Sequence, residues 1–140
     1  MKKLFLLATI IISIVAITSC SEDDPIPMEW EFSAYDQSAV TAVYTPDYVY
    51  QVSIQANPTY DGEITLRCTN YPTVSIKGNS EDGSYISREG GFRVVQENEN
   101  TIKVKFSPIE TSAPTSDIVI IDGKNNKKFN ATTISITRHQ

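Results

Sequence analysis

From Trp30 to Arg138 no stretch keeps apolar residues at three-to-four spacing for three turns, so the pattern leaves no place for an amphipathic helix. Brief runs rich in Val, Ile, Thr, Tyr and Phe appear instead, cut by Pro, Gly, Asn and Asp at intervals of roughly 8 to 15 residues, the signature of strands and turns. Tyr48, Tyr50, Val52, Ile54 and Ala56 share one parity and Gln51, Ser53 and Gln55 the other, so this segment is expected to show one face to a core and one to water. Pro58 to Gly62 supplies a turn, after which Ile64, Leu66 and Cys68 point in and Glu63, Thr65, Arg67 and Thr69 point out. Phe92–Glu97 and Thr101–Ser107 form a hairpin across Asn98-Glu99-Asn100, with Ile102, Val104 and Phe106 inward. A last hairpin joins Asp117–Ile121 to Lys128–Arg138 through the loop Asp122–Lys127. There Phe129 and Ala131 conflict in parity with Ile134 and Ile136, and a bulge near Thr132-Thr133 would reconcile them.

With Trp30–Ala34, Val40–Thr45 and Thr73–Lys77 added, the expectation is an all-β fold of about eight strands. An antiparallel two-sheet sandwich of immunoglobulin-like type fits this spacing, and a small β-barrel, which has the same alternation, is the alternative.

The first residues carry an address. Met1-Lys2-Lys3 and the apolar run Leu4–Thr18 form the cationic and hydrophobic parts of a secretory signal. As a helix, that 15-residue run covers about 22 Å, short of the roughly 30 Å hydrocarbon core. The run ends in Ile17-Thr18-Ser19-Cys20, which resembles the bacterial lipobox: a branched apolar residue, two small residues and a cysteine. The resemblance implies lipid attachment at Cys20 and cleavage before it. Ser21-Glu22-Asp23-Asp24 in turn resembles the export signal of Bacteroidota surface lipoproteins, which implies an outer-membrane lipoprotein displayed at the cell surface; a periplasm-facing position is the alternative. The expected organisation is a signal peptide over 1–19, a lipidated tether over 20–28 and a β-sandwich domain over 29–140.

Loss of residues 1–19 removes Lys2 and Lys3, so the balance moves from 12 basic against 17 acidic side chains to 10 against 17. Such an acidic domain is repelled by phosphate backbones, which argues against nucleic acid as a partner. The expected membrane contact is the lipid anchor on Cys20. Cys68 then remains without an intramolecular disulfide partner, at an inward position where cysteine acts as a small apolar residue.

Catalytic motifs are sparse. The single histidine, His139, is next to last, a poor place for a base that must be held in register. Carboxylates such as Asp61, Glu63, Glu97, Asp117 and Asp122 fall in loops or at outward strand positions, so a paired-carboxylate hydrolase is the least favoured reading. Asn79-x-Glu81-Asp82-Gly83 lacks the alternating register of a calcium loop, and no cofactor, metal or catalytic residue is expected. Tyr60 and Tyr85 in turns, and Tyr71 at a strand end, are the candidate ligand contacts. The sequence thus points to a non-catalytic binding or accessory module, with a glycan as candidate ligand. The alternative is a structural or assembly subunit pairing with a protein partner through an edge strand, either Ile118–Ile121 or Thr132–Arg138.

Overall fold

The computed structural model describes residues 26–110 and 113–139. Ten strands follow in order: β1 (Trp30–Phe32), β2 (Val40–Tyr44), β3 (Val52–Ala56), β4 (Gly62–Cys68), β5 (Thr73–Ile76), β6 (Tyr85–Ile86), β7 (Phe92–Asn98), β8 (Thr101–Phe106), β9 (Thr115–Asn125) and β10 (Lys128–Arg138). They form two sheets of five, ordered β1-β4-β8-β7-β6 and β2-β3-β10-β9-β5. The run β1-β4-β8-β7 is the A-B-E-D order of an immunoglobulin domain, and β10-β9-β5 is its G-F-C order. The two-sheet, immunoglobulin-like sandwich is therefore the fold. Its first sheet is antiparallel throughout, and its second contains one parallel pair, β3 with β10.

Alternation builds the core. Val52, Ile54, Ile64, Leu66, Val94, Ile102, Val104, Val119, Ile121, Ile134 and Ile136 are fully buried between the sheets. Trp30, from the first sheet, donates its Nε1–H to Thr132 Oγ1 of the second at 2.8 Å, satisfying two polar groups that burial would otherwise penalise. Met28, assigned from sequence to the tether, is also fully buried, so the folded body begins before residue 29. It packs so closely over Gly123 that a Cβ there would sit 2.7 Å from its sulfur.

Three sequence expectations need correction. The inward face does not extend to Tyr48 and Tyr50: β3 begins at Val52, a turn closed by Thr45 N–H on Gln51 O precedes it, and both tyrosines are exposed. No bulge interrupts β10, which pairs with β9 residue for residue from Lys128 opposite Asn125 to Arg138 opposite Thr115. Thr132 takes the inward position because its hydroxyl has a partner, and Phe129 stays outside. Finally, β9 runs on through the expected loop to Asn125, leaving a two-residue turn in which Asn126 adopts φ 56°, a left-handed conformation that asparagine tolerates well.

At the far end of β10, Arg138 is fully buried. Its guanidinium donates seven hydrogen bonds to six main-chain carbonyls: Asn57 (twice), Pro58, Tyr60, Gly90, Gly91 and Ser107. It also lies 5.0 Å from the centroid of the Phe106 ring. One side chain thereby ties three connections together, using five donors fixed in a planar fork.

Candidate functional site

None of the three expected contact tyrosines offers a free ring. Tyr71 is buried and donates its hydroxyl to Ile26 O at 2.6 Å; with β4 ending at Cys68, the strand parity that placed it outward no longer applies. Tyr60 leans edge-on against Phe106, the ring centroids 5.5 Å apart and the planes inclined at 60°, and covers Gly62. Tyr85 stacks on Phe92 at 6.1 Å and donates to Asp117 Oδ1 at 2.8 Å, bridging the two sheets. Burial, followed by that bond and the Asp117 charge, pushes the Tyr85 hydroxyl up to about 12. Each of the three is thus engaged in packing or in a hydrogen bond.

The exposed aromatics are elsewhere. Tyr48 is 70 % exposed and Tyr50 43 %, with Val49 between them at 81 %. They rim a cleft of about 420 Å³ whose floor reaches Ser53. Sequence reasoning placed both rings in the core because it continued the β3 alternation through a turn; Pro46-Asp47 was the signal against that extension.

The strand registers then define two unlike outer faces. On the β1-β4-β8-β7-β6 sheet, Glu31 lies opposite Arg67, and Glu63 opposite Lys105 and then Arg93. Arg67 meets Glu31 at 2.6 Å, and Lys103 sits between Glu63 at 3.2 Å and Glu97 at 3.5 Å. This face is charged and ion-paired.

On the β2-β3-β10-β9-β5 sheet one row reads Val43, Ser53, Ser135, Ile118. The row beside it reads Thr41, Gln55, Thr137, Ser116, and on the other side Thr133 stands opposite Ile120. None of these ten residues carries a charge. At about 4.8 Å between strands, the four-residue rows span about 14 Å. The result is a field of hydroxyl, amide and aliphatic groups bordered by the Tyr50 cleft and by Lys77, and it is the candidate interaction surface among the described residues.

Three of the carboxylates have structural partners. Asp117 accepts the Tyr85 and Ser87 hydroxyls, and Asp36 accepts Ser38. Asp82 accepts the Ser80 and Ser84 hydroxyls and the Ser84 N–H, which together hold its carboxyl far below the usual range. Cys68 is buried, and burial pushes its thiol up, away from the reactive thiolate. Among the described residues no cluster of His, Cys, Asp and Glu is arranged to hold a metal ion. Cys20, Ser21, Glu22, Asp23 and Asp24 lie outside the described residues.

Of the two expected edges, Thr132–Arg138 lies inside its sheet, whereas Ile118–Val119 has a strand partner on one side only. β10 is flanked by β3 and β9, and β9 by β10 and, over Ile121–Lys124, by β5. The edge strands carry their own plugs. On β2, the Ala42 N–H and C=O both meet the Tyr35 hydroxyl. On β5, Val74 donates to Glu99 O and accepts from Gln96 Nε2.

No family model matches this chain, and no curated protein does. Two solved structures are similar to it. Titin domain M7 shares 14 % identity, with 83 % of this chain and 99 % of that one covered and a TM-score of 0.37. A protein from Bacteroides thetaiotaomicron, solved by NMR, shares 21 % identity, with 74 % and 94 % covered and a TM-score of 0.40. The fold assignment rests on the strand order itself.

Proposed function

We propose that the chain is a lipid-tethered, surface-displayed, non-catalytic binding module that captures a neutral glycan on the outer face of its β2-β3-β10-β9-β5 sheet. The observation that carries this reading is the uncharged hydroxyl field centred on Ser53 and Ser135, in a domain whose opposite face is laced with ion pairs. A sugar presents hydroxyls that both donate and accept, as Ser and Thr do, and apolar CH faces that suit Val43, Ile118 and Ile120. An anionic polymer would meet an acidic domain whose nearest cation, Lys77 at the border of this field beside Ile120, is already 4.0 Å from Asp122. The tether half is supported by Lys2-Lys3, the run Leu4–Thr18 and Ile17-Thr18-Ser19-Cys20. The non-catalytic half is supported by the structural bonds that occupy Asp36, Asp82 and Asp117. Edge-strand assembly would have to use the one-sided stretch of β9 at Ile118–Val119, since Tyr35 and Glu99 bond the edge strands β2 and β5.

The test is a screen of neutral and acidic polysaccharides against protein extracted from membranes. Binding to a neutral polymer should fall about tenfold or more, about 1.4 kcal/mol, in Ser135→Lys and Thr137→Lys. Lys105→Gln, on the opposite face, should bind as the parent does. Silence across all neutral polymers, or equal loss in Lys105→Gln, would sink the glycan assignment.

A further inference from the structure

We infer that the end of the sandwich bearing the tether is seated in the lipid headgroup layer, with Tyr48, Val49 and Phe129 as the inserting side chains. The inference rests on the tether half of the reading above and is independent of any glycan. The described chain enters at Ile26, whose carbonyl accepts from Tyr71 and from Asn130 Nδ2 at 2.8 Å, beside Phe129. Pro46, at the start of the Tyr48 turn, shares a cleft with Pro27 and Glu29, and the Tyr44 hydroxyl donates to Met28 O. Both apolar tips therefore surround the point where the tether joins.

Eight large hydrophobic residues are exposed among the described residues, and five of them are at this end: Ile26, Tyr48, Val49, Tyr50 and Phe129. A valine 81 % exposed and a phenylalanine 66 % exposed gain nothing from water. Tyrosine, apolar along its ring and polar at its tip, suits a membrane interface. The β9–β10 turn adds Lys124, Lys127 and Lys128 within five residues of a chain whose net charge is −5. Lys124 Nζ stands 5.7 Å from the Phe129 ring centroid, a cation over an aromatic of the kind that suits a headgroup layer. Glu29, Asp47, Glu99 and Asp122 are acids at the same end, Asp122 lining one cleft with Lys124 and Phe129, so the attraction is local to the lysines of the hairpin tip.

Reach closes the case for a lipid surface as the occupant. Five residues lie between Cys20 and Ile26, so over six Cα steps a lipidated Cys20 holds this end within about 20 Å of the acyl chains.

The experiment places tryptophan probes in the full-length protein as matured in cells and reconstituted into vesicles containing anionic lipid and lipids brominated near the headgroup. Val49→Trp and Phe129→Trp should be quenched about twofold or more relative to the parent, whose Trp30 is buried in the core and acts as internal reference. Ile86→Trp, on β6, should be quenched no more than the parent. Protein that washes off the vesicles would overturn the tether reading and this inference with it. Protein that stays bound, with Val49→Trp and Phe129→Trp both unquenched, overturns this inference alone. Probes that are unquenched yet shielded from aqueous iodide show another occupant, a second copy of this chain foremost, and also overturn it.

Discussion

The two sheets share one core and treat charge in opposite ways. The β1-β4-β8-β7-β6 sheet sets Glu31, Arg67, Glu63, Lys103 and Lys105 on its outer face, where water screens them. The β2-β3-β10-β9-β5 sheet leaves the centre of its outer face uncharged and turns a cation inward, where Arg138 is sealed beneath main-chain carbonyls. The same ionic residue type therefore has opposite worth on the two sides. Exposed pairs contribute little to stability, whereas a buried cation whose donors are all engaged is costly to disturb.

The sharpest way to break this comparison is at Arg138. Arg138→Met should lower stability by about 3–5 kcal/mol, read as the midpoint of denaturant unfolding, because the Gly90, Ser107 and Tyr60 carbonyls lose a donor inside the protein. Arg138→Lys should recover only part of the loss, since one ammonium cannot span six carbonyls. A loss below about 1 kcal/mol in Arg138→Met would mean that the inward charge is no more valuable than the outward ones.

Next in size is the bond that crosses between the sheets. Thr132→Val keeps the shape and strands the Trp30 indole N–H, at an expected cost of about 1–3 kcal/mol. The second crossing bond, Tyr85 to Asp117, is more exposed, and Tyr85→Phe should cost about 1 kcal/mol at neutral pH. Its hydroxyl is raised from 10.0 to about 12, so the contribution is fully present below pH 10 and is lost as pH climbs towards 12. The gap in stability between parent and Tyr85→Phe should accordingly narrow across that interval; a constant gap would contradict the assignment. The smallest effect belongs to the charged face: Lys103→Met should leave the thermal midpoint within experimental error at physiological salt, despite its two carboxylate neighbours.

Alternation made the sandwich legible because most strands have one wet face and one dry one. It worked for β4 and β8, whose inward residues Ile64, Leu66, Ile102 and Val104 are all buried. It failed where an element ended and the period was carried on regardless. Tyr48 and Tyr50 follow the β3 parity by accident, in a turn, and Tyr71 lies beyond the end of β4. Phe129 misled for a different reason: hydrophobicity alone assigns it inward, while the polar Thr132 holds the buried position through a partner 102 residues away. Arg138 was readable in principle. It shares parity with Ile134 and Ile136, but a charge near the end of a strand is ordinarily read as solvated. The uncharged field of the second sheet was not legible at all, since it arises from strand order, which spacing does not specify.

The parallel partnership of β3 with β10 has a consequence for the timing of folding. The last of the ten strands is also the middle of its sheet, wedged between one partner from early in the chain and another from immediately before it. Until that strand has emerged, the nine before it lack the piece that joins β2 and β3 to β9 and β5, and the guanidinium that gathers the loops has not arrived. A nascent chain of this design cannot close its second sheet until β10 has emerged, so β2 and β3 must wait for a partner more than seventy residues away.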